Sequence, residues 1–251
     1  MTNNEKVLSE ELKSRLNGAS CICMGDNVGY INSVQVSIDE NENIVPINKQ
    51  KRILIPIGFI SKMIDADVAE SGGKIVINYK NRNIQIAINE KKILVDGIEI
   101  EIDVPAQVID NMVFLPIRAI TEGFGKKVFW DDRGIVVISD VEKIFDEQED
   151  KNLIDELAKL YEVAVNSKVA KEKLKGLATM PVDAAFEFIR LERIDGKKYY
   201  VCNGYIEEKV EENGELVAKH GADFGTYYVD RKSGEVYIFD VSAEKKLIEM
   251  E

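Results

Sequence analysis

The chain has 251 residues, of which 45% are hydrophobic and 31% are charged, a balance typical of a globular protein with a packed core. Its formal net charge of -12 at pH 7 would repel a polyanion, so neither DNA nor RNA is expected as a partner. No stretch approaches the roughly 20 apolar residues that a membrane-spanning helix needs, so no membrane span is expected.

Residues 1–27 are predicted to form an N-terminal helix and a lead-in to the rest of the chain. Leu8, Leu12 and Leu16 recur every four residues, which is the spacing of one apolar face on a helix. Acidic residues such as Glu10 and Glu11 interrupt the region where the apolar core of an export signal would lie. No signal peptide is recognised, so a cytoplasmic location stays open beside an exported one.

Residues 28–140 contain an internal repeat, which we divide into copy one, residues 28–88, and copy two, residues 92–140. Three pairs of segments match in the same order when the chain is slid by about 60 positions: 34–39 with 98–103, 53–60 with 113–120, and 73–77 with 134–138. Three ordered matches indicate a duplication.

Each copy begins with alternating apolar and polar residues, a pattern that predicts a half-buried strand. The apolar positions are Val34, Val36 and Ile38 in copy one and Ile98, Ile100 and Ile102 in copy two. A second strand follows and ends at Pro56 or Pro116. Proline suits the first position of a helix, because its missing N–H costs nothing there.

A short helix is therefore predicted after each proline. Its apolar positions are Ile57, Ile60 and Ile64 in copy one and Ile117, Ile120 and Phe124 in copy two. Gly125 is a predicted C-terminal stop for the second helix. The predicted fold class is α+β, with two tandem small antiparallel β units that each contain one short helix.

Several segments of copy two follow a recognisable order. They are Leu94–Gly97, Asp103–Ala106, Phe114–Ile120, Gly125 and Val128–Asp131. This order resembles the copper amine oxidase N-terminal-like (stalk) domain. The resemblance implies a module without chemistry of its own, found as a stalk or spacer in exported or surface-attached bacterial proteins. Copy one departs from the pattern, because Gly58 replaces the arginine and Glu70 stands where Trp130 aligns.

The sequence predicts no cofactor and no metal site. Copper amine oxidase chemistry uses three histidines, whereas this chain has one, His220, and Tyr79 lacks the following acidic residue of that family's cofactor motif. Asp39–Asn43 imitates the start of a calcium loop, but Ile44 and Gln50 replace its turn glycine and its bidentate glutamate.

No catalytic residue is predicted either. Cys21, Cys23 and Cys202 have no zinc-binding spacing and are expected to be buried or half-buried thiols. His220 has no serine or cysteine beside it in a recognisable nucleophile setting. Glycine-rich phosphate loops are absent from the sequence.

Residues 141–180 are predicted to be a helical linker. Asp146–Asp150 is a run of acidic and amide residues typical of a solvated connector. Helical spacing of apolar residues from Leu153 to Ala164 then predicts an amphipathic helix. Residues 165–178 are lysine-rich and are predicted to form a solvated helix or loop.

Residues 181–251 are predicted to form an α+β domain. Its hairpin turns are expected at Asp195-Gly196, Asn213-Gly214 and Arg231–Gly234. The segment 184–191 is ambiguous, and we favour a helix that gives way to a strand near Arg190–Ile194. The result is a helix packed on a four- or five-stranded antiparallel meander. Residues 225–237 also have a faint similarity to PepSY-like and cystatin-like small domains.

Candidate ligand-binding residues fall into two groups. In copy two, Trp130, Arg118 and Asp131 combine an aromatic ring with charge, although Trp130 could pack on the helix and Arg118 could pair with a carboxylate. In the C-terminal domain, Tyr200 and Tyr228 could stack on a sugar ring or simply pack the sheet. Side chains alternate along a strand, so only half of the tyrosines could face one ligand.

The expected function is that of a non-catalytic, exported bacterial protein associated with the cell surface or cell wall. The repeated module would be its scaffold, and the C-terminal domain would contact a polysaccharide or a surface protein. An extracellular or cell-surface location follows from the family resemblance. Two alternatives are an accessory domain of a glycan-processing hydrolase and a propeptide-like inhibitor or regulator of a secreted enzyme.

Overall fold

The computed structural model of the protein describes residues 8–50, 52–212, 215–240 and 246–250. The chain divides into two compact units, Met1–Tyr161 and Glu162–Glu251, which we describe one at a time. Antiparallel sheets dominate both units and helices are few, which confirms the predicted α+β class. No helix in these described ranges is long and apolar enough to cross a membrane.

The first unit contains four helices and fourteen strands among its described residues. The helices are α1 (Glu10–Arg15), α2 (Ile57–Ile64), α3 (Ile117–Gly123) and α4 (Lys151–Leu160). The strands are β1 (Ser20–Cys23), β2 (Val28–Ile31), β3 (Val34–Ser37), β4 (Ile47–Lys49), β5 (Arg52–Pro56), β6 (Asp67–Ser71), β7 (Lys74–Tyr79), β8 (Arg82–Ala87), β9 (Lys92–Val95), β10 (Ile98–Glu101), β11 (Gln107–Ile109), β12 (Met112–Pro116), β13 (Lys127–Asp131) and β14 (Ile135–Ser139).

These strands form two successive runs, β1–β7 and β8–β14, and a helix follows the fifth strand of each run. The registers of the two central hairpins also repeat. Ile47 pairs with Leu54, and Gln107 pairs with Phe114, so each residue of the second pair lies 60 positions after its equivalent in the first. We call residues related in this way counterparts.

Each five-stranded sheet mixes strands from both runs. One sheet has the order β13-β14-β1-β2-β3 and the other β10-β9-β8-β7-β6, while β11-β12-β5-β4 forms a third sheet with one hairpin from each run. The last hairpin of each run therefore completes the sheet that the other run begins. This differs from the side-by-side units that the boundaries 28–88 and 92–140 implied.

Residues 1–27 were predicted to be an N-terminal helix and a lead-in segment. Their strand β1 instead lies at the centre of a sheet. Ser20–Cys23 is buried throughout and pairs with β2 on one side and β14 on the other. The Tyr161 hydroxyl donates a hydrogen bond of 3.0 Å to the Cys21 carbonyl oxygen. A strand that is buried on both faces has no period-two pattern, so its place at the centre of the sheet could not be predicted from periodicity.

The central pairing of β5 with β12 relates the two runs to each other. Ile55 pairs with its own counterpart Leu115, and the flanking pairs are Leu54 with Pro116 and Pro56 with Phe114. Exchanging every residue for its counterpart leaves this set of pairs unchanged. The pairing therefore has the symmetry of a twofold axis that passes between Ile55 and Leu115.

The two predicted half-buried strands are β3 and β10, and both lie at the outer edge of a sheet. Val34 is 64% exposed, Ile98 69% and Ile100 44%, so the prediction of a half-buried strand is wrong for these residues. Alternation shows that side chains share a face, but it does not show that the face is covered. Here β3 and β10 lie at the edges of their sheets, and these residues stay exposed there.

Both predicted short helices are present. The predicted apolar faces are confirmed by the burial of Ile60 and Ile64 in α2 and of Ile117 and Ile120 in α3. The prolines lie one position earlier than predicted. Pro56 and Pro116 are the extended N-cap residues, and each helix begins at the next residue.

The two helices end in the same way with different residues. Gly125 has φ +76°, and the N–H of Lys126 donates to the carbonyl of Thr121 at 2.9 Å, which confirms Gly125 as the predicted stop. At the counterpart position Asp65 has φ 55°, and the N–H of Ala66 donates to Ser61 at 3.1 Å. Copy one therefore places an aspartate in the left-handed conformation that favours glycine.

Substitution at these two caps should change stability in opposite directions. A left-handed conformation costs a non-glycine residue about 1–2 kcal/mol, so Gly125→Ala should lower the free energy of unfolding by about 1 kcal/mol. Asp65→Gly should raise it by about 0.5 kcal/mol. Urea denaturation measures both effects. Gly58→Ala is the control for a glycine-to-alanine change. It should not lower the free energy of unfolding, because an added Cβ meets nothing there and alanine favours a helix interior. A destabilised Asp65→Gly variant would contradict the explanation.

Residues 141–180 do not form one separate linker, because helix α4 belongs to the first unit. Its buried face includes Leu153, Ile154 and Leu157, as the helical spacing predicted. Polar contacts join it to α1: Arg15 pairs with the N-cap residue Asp150 at 2.7 Å. The predicted amphipathic helix is confirmed, and its apolar face packs within the first unit.

The second unit contains helix α5 (Ser167–Lys175) and one five-stranded antiparallel sheet. Its strands are β15 (Ala184–Ile194), β16 (Lys197–Glu212), β17 (Glu215–Asp230), β18 (Val236–Asp240) and β19 (Lys246–Glu249), and they pair in chain order as the predicted meander. The turn at Asp195-Gly196 is confirmed, since both residues have positive φ. Asn213-Gly214 lies outside the described residues.

The prediction of a helix for 184–189 is wrong, because β15 extends without a helix from Ala184 to Ile194. Phe186 pairs with Gly204 of β16, and this pairing across the sheet outweighs the local helix-start signal. The helix that packs on the meander is α5, in the lysine-rich segment, and its Ala170 and Leu174 are buried.

All three cysteines are buried thiols with no disulfide, as predicted. Burial raises the pKa of the Cys202 thiol to about 11. Burial likewise raises the pKa of the Cys21 thiol well above its usual range. The sign follows from desolvation, which disfavours the thiolate, so both groups are protonated at neutral pH.

Candidate functional site

Two adjoining cavities open on the first unit and share Arg52, Ile53 and Arg118 in their linings. The smaller, which we call the Trp130 cavity, has a volume of about 300 Å³. The larger, which we call the β10 trough, has a volume of about 540 Å³. Both volumes lie within the range of about 300–1,000 Å³ that is usual for ligand pockets.

The Trp130 cavity brings together residues from both runs of strands. Its lining residues are Arg52, Ile53, Ile117, Arg118, Val128, Trp130 and Val136. Trp130 lies on β13 and is 39% exposed, so part of its indole ring is available to a ligand. Among the described residues the lining contains two guanidinium groups and no carboxylate.

Both arginines have a carboxylate partner outside the Trp130 cavity. Arg118 Nε lies 2.9 Å from Glu122 Oε1, one turn further along α3, and Arg52 pairs with Asp103. The side chains of Arg118 and Glu122 are 62% and 58% exposed. Exposed ion pairs contribute only about 0–1 kcal/mol, so a ligand can compete for these guanidinium groups at little cost.

Asp131 does not reach the Trp130 cavity. Its carboxylate accepts hydrogen bonds from the Arg133 backbone N–H at 2.9 Å and from the Arg133 guanidinium at 2.8 and 3.0 Å. Arg133 also contacts Asp155 at 2.7 Å. Burial disfavours the charge on Arg133, but its hydrogen bonds to the two carboxylates outweigh this and raise its pKa. Arg133 thus joins the β13–β14 turn to α4, and Asp131 holds the Arg133 side chain.

The two candidate tyrosines of the second unit are buried. Tyr200 is 2% exposed, packs in a cluster with Phe186 and Cys202, and donates a 3.1 Å hydrogen bond to the Val165 carbonyl. Tyr228 is 6% exposed and packs in a second cluster that includes Tyr199. The alternation of rings between the two faces occurs as predicted, but both faces are covered. We therefore leave these tyrosines out of the candidate site.

The sequence pattern did not indicate Arg52, because Arg118 and Trp130, with which it lines the cavity, come from the other run of strands. β5 and β12 pair so that Leu54 is opposite Pro116. Two residues further, this register brings Arg52 beside Arg118. Arg52 could be recognised as a cavity residue only by combining the repeat with an antiparallel pairing of β5 and β12 at its centre.

The counterparts of the two arginines and of Trp130 carry neither a positive charge nor an aromatic ring, and one of them is acidic. Arg118 corresponds to Gly58, Trp130 to Glu70, and Arg52 to Met112. The Gly58 position is exposed, and an added Cβ there would meet nothing. The differences between the two runs therefore converge on one cavity.

Residues 26–139 match the family model described as the copper amine oxidase N-terminal domain. The match confirms the stalk-domain resemblance for this part of the chain. That domain family is a non-catalytic accessory, which is compatible with the expected absence of enzyme activity. A search of curated proteins finds no match to the chain. The similarity of residues 225–237 to PepSY-like and cystatin-like domains stays a prediction.

Removing the Asp131 carboxylate should destabilise the first unit. Asp131→Ala leaves the half-buried Arg133 with one carboxylate partner fewer, so the free energy of unfolding should fall by about 1–3 kcal/mol. Asp132→Ala, at the exposed neighbouring position, should change it by less than about 0.5 kcal/mol. Chemical denaturation compares the two. Equal stability of the two variants would show that Asp131 does not hold the turn.

Proposed function

We propose that the protein is a non-catalytic, exported bacterial surface or cell-wall-associated protein whose first unit binds polysaccharide at the Trp130 cavity. The single observation that carries this proposal is the convergence of a part-exposed indole ring with Arg52 and Arg118. An aromatic face packs on the apolar face of a sugar ring, and guanidinium groups donate hydrogen bonds in a planar fork. Placing the contact in the first unit departs from the expectation that the C-terminal domain makes it.

The charge of the cavity favours a polysaccharide that carries carboxylate or phosphate groups. Two guanidinium groups line it, whereas the chain as a whole has a net charge of -12. An arginine pair within an acidic surface selects anions locally, because arginine recognises planar oxyanions with two parallel hydrogen bonds. Neutral glycans would use the indole ring alone and should bind more weakly.

We also infer that the two runs of strands arose by a tandem duplication, which the symmetric registers and the matching order of strands support. Under it, copy two retains Arg118 and Trp130, and copy one serves as its structural partner and contributes Arg52 to the cavity. The hydrolase and propeptide alternatives gain no specific support. The carboxylates nearest the arginines, Asp103 and Glu122, are their ion-pair partners.

Binding can be followed directly, because Trp130 is the only tryptophan in the chain. An acidic bacterial wall polysaccharide should change its fluorescence, and Arg118→Ala should weaken the affinity by about tenfold, since charge-assisted hydrogen bonds contribute roughly 1.5–3 kcal/mol. Added salt should weaken binding further. Trp130→Glu, which installs the residue of copy one, should abolish sedimentation with insoluble wall material.

Glu70→Ala is the matched control, because it alters the counterpart position and leaves the Trp130 cavity intact. It should sediment with wall material as the unmodified protein does. Equal sedimentation of the Trp130→Glu variant would contradict the proposed site. Failure of the unmodified protein to bind either acidic or neutral glycans would contradict the proposed function.

A further inference from the structure

Strand β10 has an apolar face that is only partly covered. It is the outermost strand of its sheet and pairs with β9, with Ile98 opposite Val95 and Ile100 opposite Ile93. Paired residues share a face, and this face is the one on which α3 packs, since an added Cβ on Gly123 would lie 3.3 Å from Val95. Ile98 and Ile100 extend this face beyond the helix into solvent.

The β10 trough lies between this apolar face and helix α3. Its floor includes Ile93, Ile100 and Ile102, and α3 lines the other side with Ala119 and Gly123 among its residues. In the first run the counterpart positions on α2 hold Phe59 and Met63, which are both buried. The smaller residues of α3 leave open a space beside the helix in the second run.

The backbone of β10 offers a row of hydrogen-bonding groups at this edge. Val95 with Ile98 closes the two-residue hairpin, and the N–H of Ile102 donates to the Lys91 carbonyl at 3.0 Å. Hydrogen-bonded pairs alternate along an antiparallel ladder, so Glu99 lies at a non-hydrogen-bonded position. Its N–H and C=O point away from β9, and no strand among the described residues pairs with that side of β10.

The charge of this edge selects among possible occupants. The side chains of Glu99 and Glu101 lie on the face opposite to the isoleucines, with Lys92 Nζ 2.9 Å from Glu99 Oε2. An antiparallel pairing of β10 with a second copy of itself would bring carboxylates together, which is destabilising. A strand with basic residues on that face would instead form cross-strand ion pairs.

We propose that β10 is the docking edge for an extended segment of a partner protein in which apolar residues alternate with lysine or arginine. The segment adds to the sheet as a further strand and hydrogen-bonds to the outward groups of Glu99 and Glu101. Its apolar side chains cover Ile98 and Ile100 beside the β10 trough. Its basic side chains lie opposite the two glutamates. This interaction is separate from polysaccharide binding at the Trp130 cavity.

The experiment uses the full chain and a labelled peptide of alternating isoleucine and lysine, with binding measured by fluorescence anisotropy. A peptide of the same composition with its lysines in one block should bind more weakly, because it cannot place the two residue types on opposite faces. Glu99→Pro removes the outward N–H without removing a bond between β9 and β10. It should reduce the affinity for the alternating peptide by at least about tenfold, through the lost hydrogen bond and the blocked edge.

Gln35→Pro is the matched control. It lies on β3, whose hairpin closes on Ile31 and Val34 in the same way, so its N–H also points outward from a sheet edge. The β3 edge has no acidic side chain at that position. This variant should bind the peptide as tightly as the unmodified protein, and thermal unfolding should show that both proline variants fold.

A charge exchange gives a second, independent test. The double variant Glu99→Lys with Glu101→Lys should no longer bind the lysine peptide and should bind a peptide of alternating isoleucine and glutamate. Equal binding of the blocked and alternating peptides, or full binding by Glu99→Pro, would overturn the proposal. So would a concentration-dependent dimer that Glu99→Pro abolishes, since the occupant would then be a second copy. Trp130→Glu should leave peptide binding unchanged, which separates this proposal from polysaccharide binding.

Discussion

The antiparallel pairing of β5 with β12 is the interaction on which the rest of the first unit depends. Ile55 and Leu115 meet at its centre and are fully buried. Each strand ends at a proline, which cannot donate to a further ladder bond, and the chain turns into a helix at the next residue. One pairing therefore fixes where both helices begin, and it brings Arg52 of one run beside Arg118 of the other.

The exchange of hairpins between the two sheets gives the first unit its cohesion. β14 of the second run pairs with β1, more than a hundred residues earlier in the chain, so the sheet that begins the chain is completed only when copy two is present. Neither five-stranded sheet can form from one run alone. Two of its pairings, β1 with β14 and β5 with β12, join strands that lie far apart in the chain, and such contacts form slowly because loop closure precedes the gain from them. The unit is best regarded as one cooperative domain rather than two modules in series.

Local signals in the sequence predicted much of this fold, and the errors have a common cause. The proline before each helix, the left-handed stop at Gly125 and the Asp195-Gly196 turn all act within a few residues. The exposure of β3 and β10, the central place of β1 and the strand at Ala184–Ile189 depend on partners far away in the chain. The candidate site divides in the same way. Trp130 and Arg118 lie within the recognised motif, whereas Arg52 enters only through the pairing of β5 with β12.

The two runs preserve their fold by exchanging large and small side chains between helix and sheet. In the first run Phe59 of α2 packs over Gly29, where an added Cβ would lie 2.9 Å from its ring. In the second run, strand β9 corresponds to β2 and has Ile93 as its second residue where β2 has Gly29, while the helix counterpart of Phe59 is Ala119. The large residue thus lies on the helix in the first run and on the sheet in the second.

A second exchange involves the next turn of each helix. Met63 of α2 faces Ser20, whose hydroxyl donates to the Met63 carbonyl, whereas Gly123 of α3 packs against Ile84. In the second run, therefore, the sheet supplies the bulk and the helix surface carries small residues. A helix with small residues on its flank leaves room beside it for a ligand or an added strand. The divergence of the two runs thus places most of the lining of both cavities in the second run, while the first run contributes Arg52 and Ile53.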